Sequence, residues 1–246
     1  MVYLGEVAAL ITAFLWAGSS MAFASAAHRT GTFQVNIDRL LFAFILLSLT
    51  IFIFGFDIIL SLEQMSYLAV SGLIGLVFGD TYLLKAYRHI GPRLAMLLMS
   101  LAPGLTALLG YLFLNETMSL LGLTGMGITL SGIIMVVIER GEQPAAKYKI
   151  SKIGIWYGIL ATLGQAVGLI IARFAFDLGE INGFTATVYR IIPSLLVLFI
   201  ISLLFKKYNN PFKLYKEKPS AFGFTILGTV MGPFLGITFS LIAIAN

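Results

Sequence analysis

Residues 35–56 read VNIDRLLFAFILLSLTIFIFGF, an apolar run whose only charged residues, Asp38 and Arg39, stand close to its start. A helix needs about 20 mostly apolar residues to cross a hydrocarbon core of roughly 30 Å. A lone strand in lipid would leave its backbone amides without hydrogen-bond partners, which costs several kcal/mol for each group. This stretch therefore predicts a membrane-spanning helix.

Similar apolar runs recur along the whole chain. Together they predict eight crossings, at residues 4–24, 35–56, 66–88, 93–113, 119–138, 153–174, 184–205 and 221–245. The 246 residues are 59% hydrophobic and 11% charged, whereas soluble proteins carry roughly 25% charged residues. We therefore predict an all-α, polytopic membrane protein, integral to the cell membrane, with no separate soluble domain.

The composition argues against several kinds of chemistry. There is no cysteine, which excludes disulfides and Cys-ligated metals. The two histidines, His28 and His89, fall in predicted loops, and no Gly-Lys-Ser/Thr phosphate-binding motif occurs. The net charge of +5 comes from basic residues in loops, which is a topology signal and not a nucleic-acid footprint. The sequence thus predicts neither an enzyme nor a cofactor or metal site.

The chain after residue 152 resembles the chain before residue 140. Small residues at every fourth position let membrane helices approach closely, and the same ladder occurs in the third and eighth predicted helices. With 25 glycines in the chain a single match can arise by chance, but three ordered matches are harder to dismiss. They predict two repeats, 1–139 and 153–246, joined by a polar linker at 140–152. The matched positions are Gly5, Ala8 and Leu10 with Gly158, Ala161 and Leu163, Arg39 with Arg190, and Ser71, Gly75, Gly79 and Thr81 with Gly228, Gly232, Gly236 and Thr238.

The charges of equivalent loops differ in sign. A repeat of five helices has an odd number of crossings, so its second copy enters the membrane from the other side. The loop at 57–64 contains Asp57 and Glu63 and no Lys or Arg, whereas its counterpart at 206–218 carries five lysines. Lys-rich loops are favoured on the cytoplasmic side. The pattern predicts an inverted repeat and, taken literally, an external N-terminus.

Several short motifs resemble the EamA-type members of the drug/metabolite transporter superfamily. The resemblance covers nearly the whole chain and implies a secondary transporter built from two inverted five-helix repeats, with a cytoplasmic N-terminus. Because Asn246 aligns with His89, the last two helices are expected to be missing, through a truncated gene, an incomplete sequence or closure by a partner. The residues that carry the resemblance are Trp16 in Leu-Trp-Ala-Gly, Arg39, Ala86-Tyr87, Ser100 to Pro103, Phe113 to Glu116, Gly122 and Gly132.

Few charged residues lie inside the predicted spans, where insertion costs about 2.5–3.5 kcal/mol each. Asp80 can bind a cationic substrate or carry a coupling proton, and the alternative is a buried ion pair with Arg39 or Arg190. Either arginine can bind an anion bidentately. Arg39 follows Asp38 near the boundary, where snorkelling is the alternative. Arg190 lies deeper and is the preferred candidate, with Tyr189 beside it.

Other residues are weaker candidates. Trp16, Tyr82 and Gln165 can line the same cavity, with helix packing and helix–helix hydrogen bonds as the alternative. Lys85, nearer its helix end, is expected to snorkel. Glu116 is expected to cap the turn between the fourth and fifth helices. The predicted packing and gating positions are Gly75, Gly79, Pro103, Gly228, Gly232, Pro233 and Gly236.

These observations favour a secondary exporter of small organic metabolites or drug-like compounds. It would work by alternating access, with its site between the repeats near the midplane. A sharper version of this hypothesis adds proton coupling through Asp80. The alternative is a truncated remnant that transports nothing, or a subunit completed by a partner chain or by a second copy. An intramembrane enzyme is disfavoured because no paired catalytic constellation occurs.

Overall fold

The computed structural model describes residues 4–114, 119–140 and 151–245, and every regular element in those ranges is helical. Two seven-residue π-helical segments, π1 (Leu73–Gly79) and π2 (Val230–Gly236), interrupt longer helices. The α-helices are α1 Leu4–Thr30, α2 Thr32–Phe54, α3 Leu62–Gly72, α4 Asp80–Met99, α5 Ala102–Leu114, α6 Leu120–Arg140, α7 Lys152–Asp177, α8 Gly183–Leu204, α9 Pro211–Glu217, α10 Pro219–Thr229 and α11 Ile237–Ala245.

Within the described residues, six continuous helical stretches are long and apolar enough to cross a membrane. Many large apolar side chains on them point outward, among them Phe14 and Phe52, which are 80% and 85% exposed. An outward apolar surface of this extent suits a lipid environment. The polytopic all-helical membrane fold is therefore confirmed, and the count of eight crossings stays a prediction. The six stretches are Leu4–Thr30, Thr32–Phe54, Leu62–Met99, Lys152–Asp177, Gly183–Leu204 and Pro219–Ala243.

The connection between the third and fourth predicted helices is a bend instead of a loop. Gly91 has φ 78° and ψ 162°, a conformation that glycine adopts without Cβ strain, and Pro92 then begins the next helical turn. This second arm ends at Met99 and α5 starts at Ala102. Pro103 thus lies in the first turn of α5, where its missing N–H removes no intrahelical hydrogen bond. Pro103, predicted as a packing and gating position, therefore stands at the start of a helix and not in the interior of one.

The units α3–π1–α4 and α10–π2–α11 correspond closely. Both α3 and α10 contain 11 residues, and both π segments contain seven. The separation along the chain is the same between the two helix starts as between the two π starts. A π segment is rare and often marks a functional site. Two such segments at matching positions support the internal repeat.

The two halves of the described chain pack crosswise. Helix α1 packs against α10, π2 and α11, whereas α7 packs against α3, π1 and α4. Helices α2 and α8 pack against each other. Both crossings are close enough for a serine to bond a backbone carbonyl: Ser71 Oγ donates to Gly168 O at 2.6 Å, and Ser19 Oγ to Gly228 O at 3.2 Å. The centre of the bundle therefore lies between the halves.

The two ends of the bundle differ in charge. One end, which we call the opposite end, carries the α2–α3 and α7–α8 connections. There Thr185 Oγ1 of α8 donates to Asp57 O at 2.7 Å. The end where α1 meets α2 gathers several cations, as the charge pattern predicts. We call it the basic end, and it carries Arg29, Arg88, Lys207 and Lys218.

Candidate functional site

A buried ion pair lies between the two halves. Asp80 Oδ2 is paired with Arg39 Nη2, and the two residues are 0% and 1% exposed. The other carboxylate oxygen, Oδ1, accepts a hydrogen bond from Gln165 Nε2 at 2.7 Å. Of the alternatives that the sequence leaves open for Asp80, the structure contains the ion pair with Arg39. Arg39 does not snorkel, because its guanidinium points inward.

The π1 segment places Asp80 in this position. The Asp80 backbone N–H donates to Gly75 O, five residues back, so this hydrogen bond spans one more residue than an α-helical one. Gly164 lets α7 come close to π1, since a Cβ added to it would lie only 2.8 Å from Gly79 Cα. Gln165 of α7 can therefore reach the Asp80 carboxylate. The Gln165 Nε2 atom also donates to Gly75 O, at 3.4 Å.

Asn36 completes the environment of Arg39. Its Oδ1 accepts from Arg39 Nε at 2.8 Å, and its Nδ2 donates to Thr81 Oγ1 at 2.9 Å. The Arg39 Cζ atom also lies 5.3 Å from the centre of the Phe23 ring. Sequence reasoning missed Asn36, although an amide three residues before an intramembrane arginine lies on the same helix face.

Arg190 of α8 is a second buried arginine, and its guanidinium lies next to Gly75 of π1. It is 1% exposed, and within the described residues neither its Nε nor its Nη2 has a hydrogen-bond partner. A Cβ added to Gly75 would lie 2.9 Å from Arg190 Nη2 and 3.7 Å from Gln165 Oε1. The Arg190 guanidinium and the Gln165 side-chain amide therefore both lie close to Gly75. We call Arg39, Asp80, Gln165 and Arg190 the central cluster.

The remaining candidates lie away from the central cluster. Tyr189 Oη donates to Ile58 O at 3.0 Å, toward the opposite end. Tyr82 packs its ring against Phe78, with centroids 4.8 Å apart. Trp16 is half-buried and packs against the end of π2. The structure thus brings together four of the seven candidates that were predicted to contact substrate.

The predicted gating glycines lie on helix contacts. A Cβ on Gly228 would approach the Phe23 ring to 2.6 Å, and one on Gly232 would approach Ser19 Oγ to 2.5 Å. Pro233 lies within π2, and Gly236 is the last residue of π2. These residues keep α1 in close contact with the second half. Glu116, predicted to cap a turn, lies outside the described residues.

A cleft of about 370 Å³ opens at the basic end. Lys85 lies inside it, with its Nζ 4.7 Å and 5.5 Å from the ring centres of Tyr82 and Tyr157. Arg88 and Lys207 also line its wall. A cleft lined by one sign of charge attracts ions of the other sign. The sequence predicted basic loops on one side but not that they enclose a cleft.

A second cleft, of about 570 Å³, opens at the opposite end between α2 and α8. Its lining is mainly apolar and includes Ile51, Phe56 and Ile192, with Tyr189 at one side. Tyr189 immediately precedes Arg190, whereas Gln34 of the basic cleft stands five residues before Arg39. The central cluster therefore lies between the two clefts along α2 and α8.

Asp38 fastens the α8–α10 connection to the basic end. Its carboxylate accepts hydrogen bonds from Tyr215 Oη at 2.5 Å, Tyr208 Oη at 2.8 Å and Gln34 Nε2 at 2.9 Å. Gln34 Oε1 in turn accepts from the Asn209 backbone N–H at 2.9 Å. The segment 205–217 is thus held over the basic end by one buried carboxylate.

This attachment is expected to weaken in alkali. Burial raises the pKa of Tyr208 and Tyr215 above the usual value near 10, and the Asp38 charge raises both further. Phenols whose pKa is higher in the folded state contribute stability that is present below about pH 10 and is lost as the pH rises past it. We expect the unfolding temperature in detergent to fall above pH 10. Tyr215→Phe should cost about 1.5–3 kcal/mol at pH 8 and make that fall shallower. An equally steep fall in the variant would contradict this account.

The comparison with known families agrees with this architecture. The model described as the EamA-like transporter family matches residues 3–138, which is more than half of the chain. The matched region contains Arg39 and Asp80 of the central cluster, together with the whole of π1. No curated protein matches the chain at a significant level. Members of the matched family are membrane transporters and not enzymes. This polytopic helical protein belongs to the EamA-like transporter family, of the drug/metabolite transporter type.

Proposed function

We propose that the protein is a secondary transporter that moves a small organic solute by alternating access. The observation that carries this proposal is a buried, charged cluster between two clefts that open at opposite ends of the bundle. Charged groups inside a membrane protein are costly and characteristically mark transport pathways. The matching π segments support an inverted repeat with its site at the interface, as in other secondary transporters.

The two ends carry separate closing contacts. At the basic end, Gln34 bonds the backbone of Asn209, and at the opposite end Tyr189 bonds the carbonyl of Ile58. Alternating access requires that one set opens while the other closes. We further propose that transport is export from the cell, with the basic cleft as the entrance for the solute, since the Lys-rich end is favoured on the cytoplasmic side of the cell membrane.

The absence of native cysteine makes this proposal directly testable. Gln34→Cys with Asn209→Cys, or Ile58→Cys with Tyr189→Cys, would allow either end to be locked by a short bifunctional thiol reagent. In proteoliposomes loaded with a panel of labelled anionic, neutral and cationic solutes, each lock should reduce flux at least tenfold. Each single-cysteine variant, treated in the same way, is the matched control. Unchanged flux after complete cross-linking at either end would overturn alternating access, and a lack of flux for every solute would favour the non-transporting alternative.

Proton coupling through Asp80 can be tested in the same vesicles. A proton and the Arg39 guanidinium compete for Asp80 Oδ2, so coupling requires that Arg39 release this oxygen during the cycle. If Asp80 carries the proton, an imposed pH gradient should drive flux in the wild type and fail to do so in Asp80→Asn. Gradient-driven flux that persists in the variant would remove this role from Asp80.

A further inference from the structure

The contacts of the two halves correspond residue by residue next to the central cluster. In the first half Asn36 of α2 donates to Thr81 of α4 at 2.9 Å. At the matching place in the second half, Thr187 of α8 lies 3.4 Å from Thr238 of α11, oxygen to oxygen. Asn36 stands three residues before Arg39, and Thr187 stands three residues before Arg190. The two arginines are therefore equivalent in the structure as well as in the sequence.

The two halves differ at the residue that follows each π segment, which is Asp80 in the first half and Ile237 in the second. Thr81 is preceded by Asp80, the partner of Arg39, whereas Thr238 is preceded by Ile237. Ile237 is 3% exposed and belongs to an apolar part of the core. The position that would hold a counter-ion for Arg190 is thus occupied by a hydrocarbon side chain.

The result is an excess of positive charge in the central cluster. It contains two buried guanidinium groups and one carboxylate, which is already bonded on both oxygens. An unpaired buried charge is strongly unfavourable. The two Arg190 atoms without partners in the described chain, Nε and Nη2, form the edge of the guanidinium that binds a carboxylate or phosphate with two parallel hydrogen bonds.

We propose that Arg190 is the anion-binding residue of the transport path, and that the transported solute is a small organic anion bearing a carboxylate, sulfonate or phosphate group. This inference rests on the proposed transport function. The anion supplies the negative charge that Ile237 cannot. The Arg190 Nη2 atom lies against Gly75, where a Cβ would approach it to 2.9 Å. The basic cleft, lined by Lys85, Arg88 and Lys207, independently favours the entry of anions.

Binding can be tested without any assay of transport. The unfolding temperature of the purified full chain would be measured in detergent against rising concentrations of acetate, benzenesulfonate and inorganic phosphate, with uncharged benzenesulfonamide as the control ligand. We expect at least one anion to stabilise the wild type and benzenesulfonamide not to do so. Arg190→Gln should weaken that anion at least tenfold, and Arg190→Lys should restore part of the affinity.

Ile237 provides the sharper pair of variants. Ile237→Asp places a carboxylate at the position equivalent to Asp80, where it can pair with Arg190 and exclude the anion. Ile237→Asn introduces a side chain of the same size as aspartate but without its charge. We expect the Asp variant to lose anion-dependent stabilisation and the Asn variant to keep it. Because the Asp variant supplies the missing counter-ion, it tests the proposal even if Arg190→Gln fails to fold.

The outcomes separate this inference from the proposed function. No stabilisation of the wild type by any of the three anions, or equal anion affinity in the Ile237→Asp and Ile237→Asn variants, would overturn the assignment of Arg190. Flux of neutral or cationic solutes alone would overturn the anion class and leave the transporter intact. Arg190-dependent anion binding without flux of any solute would support the site and contradict transport.

Discussion

Replacing Asp80 by Asn is expected to lower the free energy of unfolding by about 3–5 kcal/mol. The substitution preserves the shape of the side chain but leaves the Arg39 guanidinium buried without the carboxylate that pairs with it, beside the buried guanidinium of Arg190. Both arginines are 1% exposed, so water cannot take over the lost interaction. The measurement is the denaturant or thermal unfolding of purified protein in detergent, compared with the wild type under identical conditions.

Two further variants distinguish a stranded charge from a simple loss of packing. In the double variant Arg39→Gln/Asp80→Asn both charges of the pair are removed, so much of the stability should return. Asp38→Asn alters a neighbouring buried carboxylate whose three donors are neutral side chains, so it should cost less than Asp80→Asn. An Asp80→Asn protein as stable as Asp38→Asn would show that the ion pair contributes little.

The sequence identified the residues of the central cluster but not their pairing. Asp80, Arg39 and Arg190 were candidates because charges are rare in membrane spans. Which arginine binds Asp80 depends on the register of α2 against α4, and on π1, whose extra residue turns Asp80 by about 100° relative to an unbroken α-helix. Hydrophobicity carries no information about such a one-residue shift. The matching glycines of π1 and π2 were visible in the sequence, whereas the wider turns were not.

The helix count shows a similar division. Apolar length predicted five of the six long helical stretches as single spans, because crossing a membrane sets a minimum length. The sixth, Leu62–Met99, contains the predicted span 66–88 and the start of the predicted span 93–113, whose remainder lies in α5. The His89 to Pro92 segment was predicted as a loop from its Gly and Pro residues. The structure retains helical turns on both sides of Gly91, because a single residue with positive φ redirects the chain there. Gly and Pro residues predict where the chain changes direction. Whether a loop or a single residue makes that change depends on the packing of the helices around it.

Gly72→Ala is expected to be the most damaging of the small substitutions in the described helices. A Cβ at Gly72 would lie 2.2 Å from the backbone carbonyl oxygen of Arg190 and 2.8 Å from Ser194 Oγ. Backbone atoms cannot rotate away as a side chain can, so α3 and α8 must separate. We expect a loss of about 1–3 kcal/mol in the free energy of unfolding.

The matched control for Gly72→Ala is Gly125→Ala, in which the same methyl group is added to an outward-facing position. A Cβ at Gly125 of α6 would meet no atom within 4 Å, so this variant should stay within about 0.5 kcal/mol of the wild type. Gly75→Ala differs from Gly72→Ala, because the atoms nearest to its Cβ, Arg190 Nη2 and Gln165 Oε1, belong to side chains and not to the backbone. It should leave stability nearly unchanged and displace the guanidinium, thereby weakening anion binding. Equal stability of the Gly72 and Gly125 variants would show that α3 and α8 do not pack as closely as described, and would remove the support that this contact gives to the position of Arg190.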